Sequence, residues 1–460
     1  MPNQAYNPGD VEVKYIAISN NPTNFDSGTF ANDDWNPFND RNYMVISDLV
    51  MEISIVECIF YPVITGHIII LDSIDVLNEF PLTAHETQIV IGITVPGNAD
   101  FGLREFNCYL TKIKTQETGG QATYGVYAIE FASKEIINNA NSLAVTTYKN
   151  DTVNSYIEKI LRNEIKTNKR LFVNNEFNKT KATPNFDNLL MKPFQAINLM
   201  CKNAVSSNPN SSNLFLFYEN KYGFNFFPAD ILISSNTFYS DRRNPYLYRG
   251  DRRPDLTEVF YDDILHYDHL SYKNPASLMS KGVFHNKTTS FDLRTRSYNP
   301  VTYKFFDEKT NNPSVKIGSD SDQPLDIVSR SFFGSQGSKQ VPAKTFNYVK
   351  TSNEHNTKEK YLEDKLGRSS AYLEMLTNNM IHLTTWGDTR LTAGYRIKIE
   401  IPNTTYGNAI KGYEAKTVSN LAGEYLISSL NHLIRREKST FRYYNGIEIV
   451  TPSFNKGNRG

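Results

Sequence analysis

The chain has 460 residues, 39% of them hydrophobic, with 28 tyrosines and 28 phenylalanines. That is enough to bury a large core spread over about two to four domains, and it argues against disorder. The 49 basic side chains are matched by 49 acidic ones, which excludes a global field drawing the chain to nucleic acid or an anionic membrane. Cys58, Cys108 and Cys201 lie far apart, each in an apolar run, and favour buried free thiols over a disulfide framework. A reducing compartment is therefore expected, and the triplets at Asn178 and Asn286 carry no glycan reading. The opening MPNQAYNPGD lacks a basic and apolar leader, so no secretory signal is expected. No apolar stretch approaches the roughly 20 residues of a membrane helix.

Residues 1–40, rich in Asn, Asp, Pro and Gly, read as an extended N-terminal arm. Residues 41–148 carry a series of short strands. Met51, Ile53 and Ile55 alternate with Glu52 and Ser54, and His67–Leu71 is a continuous apolar run. Ile89, Ile91, Ile93 and Val95 alternate up to Pro96, and Cys108–Lys114 and Tyr124–Phe131 follow. Strands at this spacing without intervening helices indicate an antiparallel barrel or sandwich. Residues 149–212 are mixed. Asp151 is placed to cap a helix whose face is Val153, Tyr156, Ile157, Ile160, Leu161 and Ile165, and Arg170–Val173 reads as a strand.

The segment Lys192–Leu232, KPFQAINLMCKNAVSSNPNSSNLFLFYENKYGFNFFPADIL, then carries a second helix and a hairpin. Pro193 suits the first helical position, and Phe194, Ile197, Cys201 and Val205 share one face. Leu214–Tyr218 and Phe224–Phe227 are the arms of a hairpin over 213–236, with Gly223 where the turn needs positive φ. Residues 237–358 read as an inserted mixed domain. It has strand-like runs at Val259–Tyr261, Leu265–Tyr272 and Val301–Phe306, and long polar loops over 307–358. Residues 359–452 begin with a helix carrying Leu362, Leu366, Leu373 and Leu376, its ends open around Gly367. They continue as strands: Tyr395, Ile397, Ile399 and Ile401 alternate with charged residues, and Glu424–Ile434 and Phe441–Val450 are two long runs. Residues 453–460 are a tail. The fold class is mainly β with α+β, two antiparallel β units flanking a mixed α/β centre.

Reactive constellations are sparse. His266 and His269, with Asp262, Asp263 and Asp268 beside them, are the best metal candidates, but strand alternation sends the two rings to opposite faces. A polar strand surface is the reading. There is no nucleophile elbow and no phosphate loop. The pairs Glu57/Asp72 and Asp262/Asp263 read as solvated carboxylates, not as an acid/base dyad. Arg242, Arg243, Arg249, Arg252 and Arg253, interleaved with Tyr246 and Tyr248, form the one nucleic-acid-like feature. Asp241, Asp251 and Asp255 sit among them, which favours a loop tied by ion pairs or a protein interface. No catalytic, cofactor-binding or metal-binding residue is assigned, and no enzyme activity is expected.

Three stretches carry a resemblance. MEISIVECIFYPVITGHIIILDSIDVLNEFPLTAHETQIVIGI, with Glu57, Gly66, Asp72, Ser73, Pro81 and Glu86, resembles the first barrel of the baseplate hub proteins of contractile-tailed bacteriophages. The KPFQAIN helix followed by LFYENKYGFNF resembles the middle of the same family. WGDTRLTAGYRIKIEIP and LAGEYLISSLNHLI, with Gly387, Leu391, Ala393, Gly394, Pro402, Gly423, Tyr425, Leu426 and Ile427, resemble its closing barrel. The resemblance implies two tail-tube-type barrels in one chain, the second built from the 213–236 hairpin and the segment after about residue 370. It further implies a homotrimeric ring of pseudo-sixfold symmetry joining the tail tube to a central spike. DNA and the tape-measure protein would pass through its lumen during ejection without specific binding, and other baseplate proteins would surround it. The location implied is the virion baseplate, after assembly in host cytoplasm. A component of a type VI-like injection machine and a receptor- or glycan-binding tail protein are the alternatives. A DNA conduit avoids a basic wall, so the Arg242–Arg253 segment is expected to face away from the lumen.

Overall fold

The structure is a computed structural model. It describes residues 7–20, 43–73, 82–96, 102–116, 125–145, 147–148, 151–173, 190–208, 211–234, 245–248, 261–272, 275–283, 285–293, 295–304, 344–350, 357–377, 379–401 and 421–451, with single residues 76, 80, 180 and 186 between them. The Arg242–Arg253 arginines and the run Val259–Phe260 lie outside the described residues, as does most of 307–358.

The first unit holds β1 (Asp10–Ser19), β2 (Met44–Val45), β3 (Val50–Cys58), β4 (Thr65–Asp72), β5 (Gln88–Thr94), β6 (Arg104–Gln116) and β7 (Gly125–Ser133). The centre holds helices α1 (Glu135–Asn141), α2 (Val153–Asn163), α3 (Pro193–Asn203) and α4 (Ala229–Ser234) with β8 (Leu171–Phe172), β9 (Phe215–Asn220) and β10 (Gly223–Pro228). After it come β11 (Tyr246–Tyr248), β12 (Asp263–Tyr272), α5 (Pro275–Ser280), β13 (His285–Asp292), β14 (Ser297–Lys304) and β15 (Lys344–Lys350). The chain closes with α6 (Thr357–Leu376), β16 (Asn379–Trp386), β17 (Arg396–Glu400), β18 (Gly423–Glu437) and β19 (Thr440–Thr451). No helix among the described residues is long and apolar enough to cross a membrane.

Among the described residues thirteen strands form one sheet that closes on itself twice. In the first ring β1 pairs β5, then β6, β7, β4, β3, β18 and β19 follow, and β19 returns to β1 at Asp10 and Val11. In the second ring β17 pairs β11, then β12, β16, β19 and β18 follow, and β18 returns to β17. The protein is therefore mainly β, with two barrels that share the hairpin β18–β19. The sharing follows from strand length. At about 3.4 Å per residue, the 15 residues of β18 run roughly 50 Å. The tip half pairs β3 from Ser429 to Arg435, and the base pairs β17 from Gly423 to Leu426. A register shift between Ile427 and Ser429 marks the point where β18 changes barrels. Side chains divide accordingly: Ile434 and Tyr443 enter the core of the first barrel, while Ile427, Leu430, Ile447 and Ile449 enter that of the second.

Several local expectations are met and several are corrected. Pro193 opens α3, and Phe194, Ile197, Cys201 and Val205 are all buried. Gly223 takes φ +131 in the β9–β10 turn, where a Cβ would lie 2.5 Å from the Arg170 carbonyl. Helix α2 buries the six expected side chains, but its N-cap is Thr152, whose hydroxyl accepts the Ser155 amide at 3.4 Å. Asp151, one residue earlier, accepts the Thr152 amide instead. In β3 a bulge at Met51 turns that side chain outward and puts Val50 inside. The arm is not all arm, since Asp10–Ser19 is a strand of the first barrel. The β9–β10 hairpin, expected in the second barrel, instead joins β8 in a separate three-stranded sheet. The second barrel is already closed by β17 and β18 and has no free edge to offer it, while Phe215, Phe224 and Phe226 pack with the α2 and α3 side chains. The second barrel takes β11 and β12 from the predicted insertion, and only β13–β15 stand apart, as a sheet covered by α6. Helix α6 runs unbroken through Gly367, where a Cβ would meet the Asn286 side chain at 2.1 Å. Its Leu373 faces solvent, and Lys365 and Arg368 are buried in its place. Lys365 Nζ donates to the carbonyls of Cys201 (2.8 Å) and Ala204 at the C-terminus of α3, and burial lowers its pKa to about 7.

The shared hairpin makes a testable prediction. Ile434→Ala and Ile447→Ala each leave a core cavity costing about 2–5 kcal/mol. Native-state hydrogen exchange should show protection falling in both barrels for either variant, because the ladder between β18 and β19 is common to both. Loss confined to the barrel that holds the mutated residue would contradict a single cooperative unit.

Candidate functional site: the junction of the two barrels

Where the barrels meet, charged side chains sit at strand positions whose neighbours of the same parity are apolar. Ile53, Ile55 and Glu57 point inward in β3, as do Arg104, Phe106 and Cys108 in β6 and Leu430, His432 and Ile434 in β18. Glu57 and His432 are fully buried and Arg104 is 1% exposed. Charges buried to this degree need partners. The Arg104 guanidinium is paired with Glu57 Oε1 and also donates to the carbonyls of Thr389 (3.0 Å) and Leu391. Glu57 Oε2 accepts from the Thr392 hydroxyl and from the Ala393 amide at 3.0 Å. The His432 ring bonds the Tyr443 hydroxyl through Nδ1 at 2.6 Å and brings Nε2 to 3.7 Å from Glu57 Oε1.

These bonds converge on one loop, residues 387–394, which links β16 to β17. The loop is pinned from every side. The Asn220 side chain donates to the Ala393 carbonyl (3.3 Å), the Lys221 amide to Thr392 Oγ1 (3.2 Å), and Asn445 to the Asp388 carbonyl (3.2 Å). Two glycines make the approach possible. At Gly387 a Cβ would lie 1.9 Å from the Tyr443 ring, and at Gly394, with φ +85, it would lie 2.1 Å from Tyr218 Oη. The three stretches singled out in the sequence meet here: Glu57 from the first, Tyr218 to Lys221 from the second, Gly387 to Gly394 from the third.

A second buried cluster ties the centre to the first barrel. Lys169 Nζ donates to Glu135 Oε2 (2.7 Å) and to Glu219, while Glu219 also accepts the Ile64 amide (3.1 Å) and Glu135 the Thr167 hydroxyl (2.7 Å). Burial opposes the Lys169 charge, but the two carboxylates outweigh it and raise its pKa. Burial and the Glu135 charge push Glu219 up despite Lys169.

The remaining sequence candidates lie elsewhere. On β12, His266 Nε2 is 3.1 Å from Asp268 Oδ2 in the open, and His269 Nε2 is 2.8 Å from Asn379 Oδ1. Among the described residues no three His, Cys, Asp or Glu side chains come together as a metal site. Glu57 and Asp72, expected as solvated carboxylates, are both buried; Asp72 accepts the Val76 amide (2.8 Å) and the Tyr127 hydroxyl (3.3 Å) and so has partners of its own. Tyr246 is buried in the second barrel. Arg104, His432, Thr392 and the Lys169 cluster were not singled out in the sequence. The available signal was a charged residue on the apolar parity of a strand.

No protein-family model matches the chain, and no curated protein matches it. Solved structures are similar to it. One is the 43 kDa tail protein of prophage MuSo2 from Shewanella oneidensis, at 10% identity over 88% of this chain and 94% of that one, TM-score 0.47. Another is a tail protein from Neisseria meningitidis, at 9% identity over 95% and 96%, TM-score 0.48. A third is the Escherichia coli c3393 protein, described as a component of the type VI secretion system, at 10% identity over 89% and 76%, TM-score 0.42. At this level of likeness nothing about function passes from those proteins to this chain.

The junction predicts its own acid sensitivity. Burial alone would raise the Glu57 pKa, but Arg104, with His432 and Thr392, holds it down to about 2, from an ordinary 4.5. The stability it contributes is complete above pH 4.5 and is lost as the pH falls through 2. Burial and the Arg104 charge lower His432 to about 4, from 6.5, so the ring is neutral at pH 7. The unfolded chain takes up that proton first, so stability also falls as the pH drops from 6.5 to 4. The His432 contribution to the urea midpoint should therefore be complete at pH 7 and decline through the 6.5–4 window, with His432→Gln flattening that part of the profile. Glu57→Gln strands the Arg104 charge and should cost about 3–5 kcal/mol at pH 7. A cost below 1 kcal/mol would mean that the network does not hold the barrels.

Proposed function

We propose that this chain is the structural hub of a contractile-tail baseplate. Three copies form a ring of pseudo-sixfold symmetry that joins a sixfold tail tube to a threefold central spike and leaves a channel for DNA. The observation that carries this reading is the construction of two closed barrels around one uninterrupted hairpin within a single chain. A pseudo-sixfold ring needs the two barrels of each subunit at a constant offset, because rocking between them would make alternate positions unequal. Continuous β strands and a buried ion pair at the junction supply that rigidity. The three stretches that resemble hub proteins build the same junction, which supports the reading independently of how they were found.

The mechanism is mechanical. Tube proteins and the tape-measure protein meet one side of the ring and the spike the other, and load passes along β18 and β19. The balanced charge of the chain suits a conduit through which DNA moves without sticking. The junction residues serve one another and carry no chemistry toward a substrate.

Light scattering of the purified chain, alone and co-expressed with a cognate spike, tests the proposal. The expected mass is three times the 52.5 kDa of one chain, with a central hole in electron micrographs. A persistent monomer without rings in both preparations would overturn it.

A further inference from the structure

A cleft of about 670 Å³ opens between the first barrel and the central unit. One wall is Leu103 with the first β6 residues, Arg104–Cys108, and the other is Asn168–Arg170 with the β9–β10 turn, Glu219–Gly223. Its volume is that of a ligand site.

Among the described residues, the first wall has a strand edge without a backbone partner. Strand β7 begins its ladder with β6 at Cys108, opposite Ser133, and the chain then turns into α1. Among the described residues, β6 is therefore paired over Arg104–Phe106 with β5 alone. Leu110 donates to the Thr87 carbonyl and accepts from the His85 amide on the β5 side. Backbone groups alternate along a strand, so those of Glu105 point the other way, into the cleft.

The second wall carries charge. Arg104 and Lys169 are consumed by Glu57, Glu135 and Glu219, and the Glu105 carboxylate takes the Tyr15 hydroxyl. Arg170 and Lys221 stand at the exposed mouth; Lys221 Nζ reaches the Thr389 carbonyl at 3.5 Å, and among the described residues neither cation has a carboxylate within ion-pair distance. Arg170 lies against the Phe172 ring and Lys221 against Tyr222. Partial desolvation, with the Arg104 charge, holds the Lys221 amine below its ordinary range. Leu103 and Tyr222, each 48% exposed, flank the cations with apolar surface.

We propose that this cleft docks an extended acidic segment of a partner protein, which adds a strand to β6 beside Arg104–Phe106 and places a carboxylate between Arg170 and Lys221. An open backbone edge supplies affinity and the flanking side chains supply selectivity, the usual division in strand addition. A free phosphate would satisfy the cations but leave the strand edge, Leu103 and Tyr222 unused.

The test uses the full chain. Selection of a random hexapeptide phage library on it should enrich sequences with Asp or Glu at alternate positions. A synthetic copy of the winning hexapeptide should slow hydrogen exchange at the Glu105 amide. The double variant Arg170→Ser/Lys221→Ser, both sites being exposed and its melting temperature serving as a folding control, should bind that hexapeptide about tenfold more weakly. Absence of acidic enrichment, binding unchanged in the variant, or an unprotected Glu105 amide would each overturn the proposal. Full competition by inorganic phosphate with no amide protected would leave an anion hole and no strand addition, which also overturns it.

Discussion

Strands β18 and β19 belong to two barrels at once, and the rest of the molecule is arranged around that constraint. A hairpin shared in this way cannot be flat and regular along its whole length, because the two barrels curl about different axes. The register shift between Ile427 and Ser429 falls where β18 exchanges β17 for β3. Ser428, fully buried at that step, donates to the Glu448 carbonyl at 3.0 Å and keeps the local backbone satisfied. One extra residue in the ladder is thus the hinge point of the design, and it is a rigid one.

A shared hairpin leaves a wedge between the barrels, and the wedge is filled with charge. A buried ion pair is weak evidence for stability in itself, since desolvation offsets much of the attraction. What the Glu57–Arg104 pair adds is direction. Its two hydrogen-bonding forks face opposite sides, one toward the partner charge and one toward the 387–394 loop, so the loop has a single seating. Packing glycines at 387 and 394 remove the alternatives by letting Tyr443 and Tyr218 come into contact with the backbone. The junction is therefore specified by geometry that an apolar contact of the same area would not impose.

The central unit is coupled to this arrangement by the Lys169 cluster and by the aromatic hairpin, in which Phe217 stacks on Phe224 at 5.3 Å and Phe215 on Phe226 at 4.9 Å. Its turn reaches the 387–394 loop through Asn220 and Lys221. The same turn forms the wall of the cleft beside β6. A segment held in that cleft would therefore sit against the element that seats the junction.

Local elements were legible because period and capping are local physics. The α3 face, the positive φ of Gly223 and the alternation of Ile397, Ile399 and Ile401 are each decided by neighbours a few residues away. Glu57, Gly387 and Gly394 were legible as members of three motifs, though not as parts of one site. The partners of each strand were not legible. The β9–β10 hairpin reads equally well as part of a barrel or of a separate sheet, and only its contacts with α3 and β8 decide. In the same way Tyr246–Tyr248, a three-residue strand with little pattern, closes the second barrel by pairing with β12 on one side and β17 on the other. The sequence by itself determined a mainly β chain with a helical middle and its turn glycines, since these depend on residues within a turn or two. Only the tertiary structure decided that β18 and β19 serve both barrels and that Glu57, Arg104 and His432 meet, because those pairings join residues hundreds of positions apart.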